Sequence, residues 1–300
     1  MRPAWSVILL TTLIGAGQGL FLAAFAAHAV DGSGASWFLK VCTGIALLLL
    51  GAGLLASFFH LGRPLRAWRA ITQWKTSWLS REVIVLPAFM AAIAAYGWMG
   101  QAGWAGALAA VLCLVLFLCT GMIYACLPFL QEWRTPLTPL NFFLLGTASG
   151  TTLAALVSVF TARGYIATLA LAALGLGALA YASRWASLAR NARLRPKSTT
   201  ASAIGTRHPQ VAQRSQGFMG GSFNTREFFH GRPDRVVRAV RWTFLVLLFP
   251  LPALFLAFGG RSGAALGLAF ALQFVGLLAE RWYFFAEARH PQNLYYQSMA

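Results

Sequence analysis

Long apolar runs alternate with short polar or basic connections along the whole chain. A membrane-spanning helix needs about 20 apolar residues, whereas barrel strands alternate apolar and polar positions over about ten. Runs of spanning length cover about residues 5–29, 36–60, 83–100, 104–128, 140–162, 164–185, 241–259 and 263–285. Because irregular backbone cannot face lipid, we expect an all-α, polytopic transmembrane helical bundle of about eight spans, forming one integral membrane domain over residues 1–300.

The first run has a second interpretation, which is a secretory signal peptide. Small residues around Ala27 and Ala29 fit a cleavage site. The run is longer than the apolar region of an ordinary signal, however, and Gln18 with Gly15 and Gly19 forms a small-residue face suited to helix packing. We therefore interpret it as the first span.

The composition agrees with a membrane protein, since 58% of the residues are hydrophobic and only 10% are charged. These values exclude a separate soluble catalytic domain, and the 14% of aromatic residues excludes a disordered chain. The cysteines lie in apolar runs without C-x-x-C spacing or a nearby histidine. We expect Cys42, Cys113, Cys119 and Cys126 to be packing residues, with no iron–sulfur cluster or metal bound by this chain.

The formal net charge of +17 is distributed unevenly across the predicted membrane. Eight spans place both termini on one side, together with the connections after spans two, four and six. All but three of the 24 Lys and Arg residues fall on that side, the exceptions being Lys40, Arg163 and Arg261. The positive-inside rule then predicts cytoplasmic termini.

The connection over residues 187–240 is long, basic and rich in Pro, Ser, Thr, Gln and Gly. One interpretation is a loop that sets topology and touches anionic lipid. The other is a docking surface for an acidic partner, part of which becomes ordered on binding. Nucleic-acid binding is not expected, because no recognised nucleic-acid module accompanies the charge.

The predicted spans carry no ionisable residue at mid-membrane, since the acidic residues fall in connections or at span ends; only Gln18 and Gln273 lie well inside. This argues against a proton pump, a transporter of charged ions or a channel. A haem between two histidines is not expected either. His28 and His60 lie at opposite ends of their spans, about 30 Å apart across the hydrocarbon core, and the other histidines lie in connections or the tail.

The segment from Ser57 to Leu86 closes the second span and opens the third. Gly62 is placed to end the first helix, and Ser80 to cap the next, with Glu82 in its first turn. Between them, arginines at 63, 66 and 69 recur every three residues while Leu65, Trp68 and Ile71 follow on another face. This pattern predicts a short helix lying in the membrane interface.

His60 and Glu82 are expected at the same depth, facing one pocket. A quinol loses two protons with its two electrons, and a histidine beside a carboxylate can accept them. Arg66 could orient a quinol oxygen or hold Glu82 ionised, and Trp68 could stack on the ring. Taken singly, the same residues also fit a helix cap, a helix-dipole partner and an interfacial belt of Arg and Trp.

Four stretches resemble the DmsC-type membrane anchor subunit of dimethyl sulfoxide reductase: SFFHLGRPLRAWRA, SWLSRE, GSFNTREFFHG at 221–231 and ERWYFFAEARHPQNLYYQ at 280–297. The resemblance implies a subunit of the bacterial plasma membrane that holds no cofactor of its own. It implies menaquinol oxidation in anaerobic respiration, with electrons passing to an iron–sulfur subunit and then to a molybdopterin catalytic subunit. The iron–sulfur subunit would dock on the basic side.

The resemblance also assigns residues. His60 and Glu82 match the family's quinol-site histidine and glutamate, Gly62 and Arg66 match weaker contributors, and Trp68 stands where the family has an aromatic residue. Two alternatives remain: a purely structural anchor without a quinol site, and the related anchor of polysulfide or nitrite reductases. The terminal electron acceptor and the quinone type stay open, because that chemistry belongs to the partners.

Overall fold

The chain is described by a computed structural model over residues 1–31, 36–59, 61–98, 102–208, 210–212 and 226–296, and this part contains helices and no strand. The α-helices are α1 (Trp5–Asp31), α2 (Ser36–Phe58), α3 (Trp78–Trp98), α4 (Gly103–Ala125), α5 (Leu137–Thr161), α6 (Ile166–Ala192), α7 (Thr200–Ile204), α8 (Asp234–Leu248), α9 (Pro250–Phe258) and α10 (Gly263–Glu287). Short 3₁₀ helices cover Pro64–Gln73, Arg163–Tyr165 and Pro291–Tyr295.

Eight segments of the described chain are long and apolar enough to cross a membrane, α8 and α9 together forming one of them. The predicted all-α polytopic bundle is confirmed. Several helices extend beyond the apolar runs: α3 begins at Trp78, α6 ends at Ala192 and α8 begins at Asp234. The connection predicted at 187–240 therefore shrinks to 193–233, because α6 and α8 continue through the polar residues that flank the apolar runs.

The centre of the bundle is the contact of α5 with α1. Helix α5 is the most enclosed of the eight spans. Its Gly146 and Gly150 meet Gly15 and Gly19 of α1 so closely that the two backbones touch. The small-residue face predicted for the first span is thus a packing face, and small residues allow close backbone approach between helices in lipid.

The seventh span is broken in the middle. Helix α8 ends at Leu248, Phe249 has φ −120° and ψ −75°, and α9 begins at Pro250. Proline lacks the backbone N–H that a continuous helix would use, and its ring disfavours helical backbone in the residue before it. The break redirects the span and opens a gap beside α6 that is described below.

We predict that Gly150→Ala lowers the thermal stability of the complex, whereas Gly44→Ala does not. A Cβ at Gly150 would collide with the backbone of Gly19 and Leu20, while a Cβ at Gly44 meets nothing within 4 Å. Overpacking of this kind costs about 1–3 kcal/mol. Thermal aggregation of the detergent-purified variants tests this; equal midpoints would show that the α1–α5 contact is not tightly packed.

Candidate functional site

The segment that joins α2 to α3 forms an exposed 3₁₀ helix over Pro64–Gln73. Side chains three residues apart eclipse each other in such a helix, which explains the period of three in the sequence. Leu65 and Trp68 lie on one row and are 93% and 63% exposed. Arg66 and Arg69 lie on another row and are also exposed. The predicted surface helix is confirmed, and both its apolar and its cationic rows face outward.

The start of α3 differs from the expectation. The backbone N–H of Ser80 donates to Oγ of Ser77 at 3.3 Å, so Ser77 and not Ser80 caps the helix. Glu82 consequently lies in the second turn of α3. The favourable interaction of a carboxylate with the helix dipole is confined to the first turn, so it does not account for Glu82. The prediction for Gly62 is also wrong: α2 ends at Phe58 and Gly62 has no left-handed backbone.

Glu82 is buried between α3 and α4. Glu82 is only 7% exposed, and its Oε1 accepts a hydrogen bond from the Thr120 hydroxyl of α4. The preceding residue, Arg81, faces the other way: its Nε donates to the Trp74 carbonyl at 3.0 Å and its Nη2 to the Lys75 carbonyl at 2.9 Å. Arg81 thereby ties the end of the 3₁₀ helix to α3.

The other predicted site residues divide into two groups. His60 lies outside the described residues. Gly62, Arg66 and Trp68 are exposed on the segment leading to α3, at the same end of the bundle as Glu82. In the described structure no ion pair joins Arg66 to Glu82, so the idea that Arg66 holds this carboxyl ionised is wrong. Thr120 has that position instead.

Thr120 is the site residue that the sequence did not reveal. It is a single threonine within an apolar span, and such residues usually bond their own helix backbone. One feature of the sequence could have indicated it, namely its distance from the end of α4. Helices α3 and α4 pack against each other, and that distance places Thr120 at the same level as Glu82. One turn further along α4, Tyr124 packs against Phe142 and Phe284 with ring centroids 5.5 and 5.3 Å apart.

A buried cluster of charges joins α6 to α10. Glu280 contacts Arg184 through Oε1 at 2.8 Å and Arg281 through Oε2 at 2.9 Å, and Arg184 also lies 3.7 Å from Glu287. Glu280, Arg184 and Arg281 are each at most 2% exposed. Arg184, Glu280 and Arg281 lie near the ends of their spans, as expected, but their side chains are enclosed and paired between α6 and α10.

We predict that Glu280→Gln strongly destabilises the subunit, because Arg281 would lose its ion pair and Arg184 would keep only the 3.7 Å contact with Glu287. Removing one partner of a buried ion pair costs about 3–5 kcal/mol. Thermal unfolding of the detergent-solubilised complex is the measurement, with Glu227→Gln as a control on an exposed acid. A Glu280→Gln midpoint equal to that of the control would mean that water already screens the cluster.

Two stretches that carried the family resemblance contact each other. The Phe228 ring stacks on His290 with centroids 3.7 Å apart, and the Asn293 side chain donates to the Phe228 carbonyl at 3.1 Å. The Arg2 N–H donates to the Glu227 carbonyl at 3.0 Å. The N-terminus, residues 226–231 and residues 290–293 thus form one layer on the predicted cytoplasmic side, so part of the long connection packs against other segments of the chain. Residues 221–225 of the motif lie outside the described part.

We predict that this layer loosens in mild acid. Burial lowers the pKa of His290 below its ordinary value of 6.5, helped by the nearby N-terminal ammonium group. The folded chain then binds fewer protons than the unfolded chain near this pH, so the histidine's contribution to stability is complete above about pH 6.5 and is lost as the pH falls. Hydrogen exchange of residues 288–296, corrected for intrinsic rates, should increase between pH 7.5 and 5.5.

The control for this pH effect is a pair of variants. His290→Phe keeps an aromatic ring against Phe228 but cannot titrate, so its corrected exchange should respond less to pH. The remaining response would come from the Met1 ammonium group and His230, because burial lowers the pKa of each. His208→Gln changes an exposed histidine and should behave like the unchanged protein. A pH response in His290→Phe equal to that of the unchanged protein would assign the effect to those other groups.

Other side chains inside the membrane follow the expectations in part. The Gln18 amide donates to the Cys113 carbonyl at 3.0 Å and so links α1 to α4, as expected for an intramembrane amide. Cys42, Cys113 and Cys119 are buried, but Cys126 is exposed at the end of α4, which corrects its assignment as a packing residue. Within the described ranges no three His, Cys, Asp or Glu side chains are grouped as metal ligands.

Comparison with known proteins gives two matches. A model of the family described as DMSO reductase anchor subunit (DmsC) matches residues 1–209. The chain is also similar to a sulfite dehydrogenase subunit of Allochromatium vinosum, with 52% identity over 326 aligned positions that cover the whole of both chains. The family match ends before the two C-terminal motifs, whereas the relative spans them. The chain therefore belongs to the DMSO reductase anchor subunit (DmsC) family, as a multi-pass membrane anchor of a molybdoenzyme complex.

Proposed function

We propose that this chain is the quinone-reactive anchor of its complex, exchanging electrons between a membrane quinone and an iron–sulfur partner subunit that serves a molybdopterin catalytic subunit. The observation that carries the proposal is the buried Glu82 carboxyl group, bonded to Thr120 and lying behind an exposed helix with cationic and aromatic rows. A carboxyl group enclosed at the membrane rim suits proton transfer to a ligand arriving from lipid.

The name of the relative supports a proposal for the direction of electron flow. A sulfite dehydrogenase converts sulfite and water into sulfate, two protons and two electrons. A quinone takes up two electrons and two protons to become a quinol, so the two half-reactions balance. We propose this direction for the chain, because the sulfite dehydrogenase subunit aligns with all of it, including both C-terminal motifs.

In that direction the site supplies protons. Glu82 would give one proton to a quinone oxygen, and His60 would give the second proton. Both residues would then be reprotonated from the cytoplasmic side. The Thr120 hydroxyl holds the Glu82 carboxyl in place. Arg66 would orient a quinone oxygen, Trp68 would cover the ring and Gly62 would leave room for it. Menaquinone is the proposed quinone, and no prosthetic group of the anchor itself takes part.

A second candidate is the reverse reaction, favoured by the family's description as a DMSO reductase anchor. Quinol would then lose two electrons and two protons at the same site, and the catalytic partner would reduce dimethyl sulfoxide. Glu82 and His60 would accept the protons in this case. The same residues serve both directions, since a proton donor becomes an acceptor when the reaction reverses.

We predict that Glu82→Gln in the purified complex lowers sulfite-driven quinone reduction by about 100-fold or more, the usual contribution of a proton-transfer group. Thr120→Val, which keeps the volume and removes the hydroxyl, should cost about tenfold through loss of positioning. His60→Arg should abolish the reaction. Sulfite-driven reduction of a soluble dye, which bypasses the anchor, should be unchanged in all three.

The control variant is Glu227→Gln, which removes an exposed acid from the same side of the bundle. Full quinone reduction by Glu82→Gln would remove this residue from the site. A complex that reduces dimethyl sulfoxide with quinol but does not oxidise sulfite would establish the second candidate. Dye reduction without any quinone reaction in the unchanged complex would mean a purely structural anchor.

A further inference from the structure

An apolar groove runs along the opposite part of the bundle, away from Glu82. It lies between α6, α8, α9 and α10, where the break at Pro250 separates the seventh span from α6. Its volume is about 510 Å³, within the range of small-molecule sites. The wall on α6 extends from Ala173 to Trp185, which at 1.5 Å per residue is about 18 Å along the membrane normal. The groove is therefore long and narrow.

One polar side chain lies in this groove at depth. Gln273 of α10 lines it, is only 3% exposed, and its Oε1 has no hydrogen-bond partner in the described structure. Gln18, the other glutamine within a span, is bonded to Cys113. A buried polar atom without a partner is costly, more so where no water is available. Gln273 therefore requires a partner that the described chain does not supply.

The depth of Gln273 indicates what that partner is. It lies ten residues from the start of α10, about 15 Å along the helix, which is close to the middle of a hydrocarbon core of about 30 Å. A phospholipid presents only hydrocarbon at this depth. An isoprenoid quinone carries an uncharged ring with two oxygens, and a primary amide can donate to its carbonyl or accept from the hydroxyl of its quinol.

The remaining walls fit the rest of such a molecule. Small residues of α6, including Gly177 and Ala178, leave room along one side, and Tyr181 and Phe249 close the groove with ring centroids 5.1 Å apart. Among the described residues that line it there is no Asp, Glu, His, Lys or Arg. The length and the apolar lining of the groove match a ring with a prenyl chain, but the groove offers no acidic or basic side chain for proton transfer.

We propose that this groove is a second, non-catalytic site for an isoprenoid quinone or quinol, whose ring bonds to Gln273. The proposal rests on the proposed function, because it takes the membrane quinone as the substrate of the complex. The site would hold the substrate or product in exchange with the bilayer. It is formed by other helices than the α3–α4 site of Glu82, so the two can be tested separately.

The chain offers a matched pair of variants for the test. Gly177 lines the groove and Gly175 does not, although both lie on α6 and neither has an atom within 4 Å of an added Cβ. Gly177→Leu fills the groove, and Gly175→Leu adds the same side chain outside it. Gln273→Leu removes the amide and keeps most of its volume.

The probe is an azido-substituted prenylated quinone, photolysed with the whole complex in quinone-free nanodiscs of phosphatidylcholine and phosphatidylglycerol, followed by peptide mapping. We expect label on α6, α9 or α10 that is lost in Gly177→Leu and unchanged in Gly175→Leu. Loss of one buried hydrogen bond should weaken labelling in Gln273→Leu by about fivefold at subsaturating probe.

Three results would overturn the proposal: no label on these helices, equal label in the two glycine variants, or a phospholipid that occupies the groove and is not displaced by the quinone probe. The outcome is independent of catalysis at the first site. Glu82→Gln should leave groove labelling intact while quinone reduction fails. Groove labelling with normal turnover in Glu82→Gln would instead refute only the proposed catalytic site.

Discussion

Polar groups inside a bilayer must find their partners within the protein, because lipid tails offer no hydrogen bonds. This constraint explains most of what the structure shows. The spans are helices, Gln18 reaches across to Cys113, and Glu280 lies between two arginines. Two sites on which the proposals rest also reflect this constraint: a carboxyl group bonded to a single hydroxyl, and an amide oxygen with no partner in the described chain.

The close contact between α1 and α5 makes the arrangement of the other helices possible. The glycines at this contact bring the two backbones together, and α5 is enclosed by its neighbours over most of its length. Helices α3 and α4 pack against each other outside this centre and bury Glu82 between them. Helices α6, α8, α9 and α10 pack on the other side, where a proline break leaves the groove.

The basic side of the molecule combines several roles that the charge count could not separate. Arg66 and Arg69 are exposed and free to meet lipid headgroups or an acidic partner surface. Arg81 instead binds backbone carbonyls and fixes the 3₁₀ helix to α3. Arg184 and Arg281 are enclosed and pair with Glu280. A cation near a span end can thus set topology, hold a fold together or bind a partner, and its neighbours decide which.

The helical class, the eight spans and the short helix around Arg66 and Trp68 could be predicted from the amino-acid sequence, because hydrophobic length and a period of three are local properties. The folded structure was needed to find that Ser77 caps α3, that Thr120 bonds to Glu82 and that Glu280 pairs with two arginines. These pairings depend on how far each helix continues and which face it turns to its neighbour, and both are set by packing between segments distant in the chain.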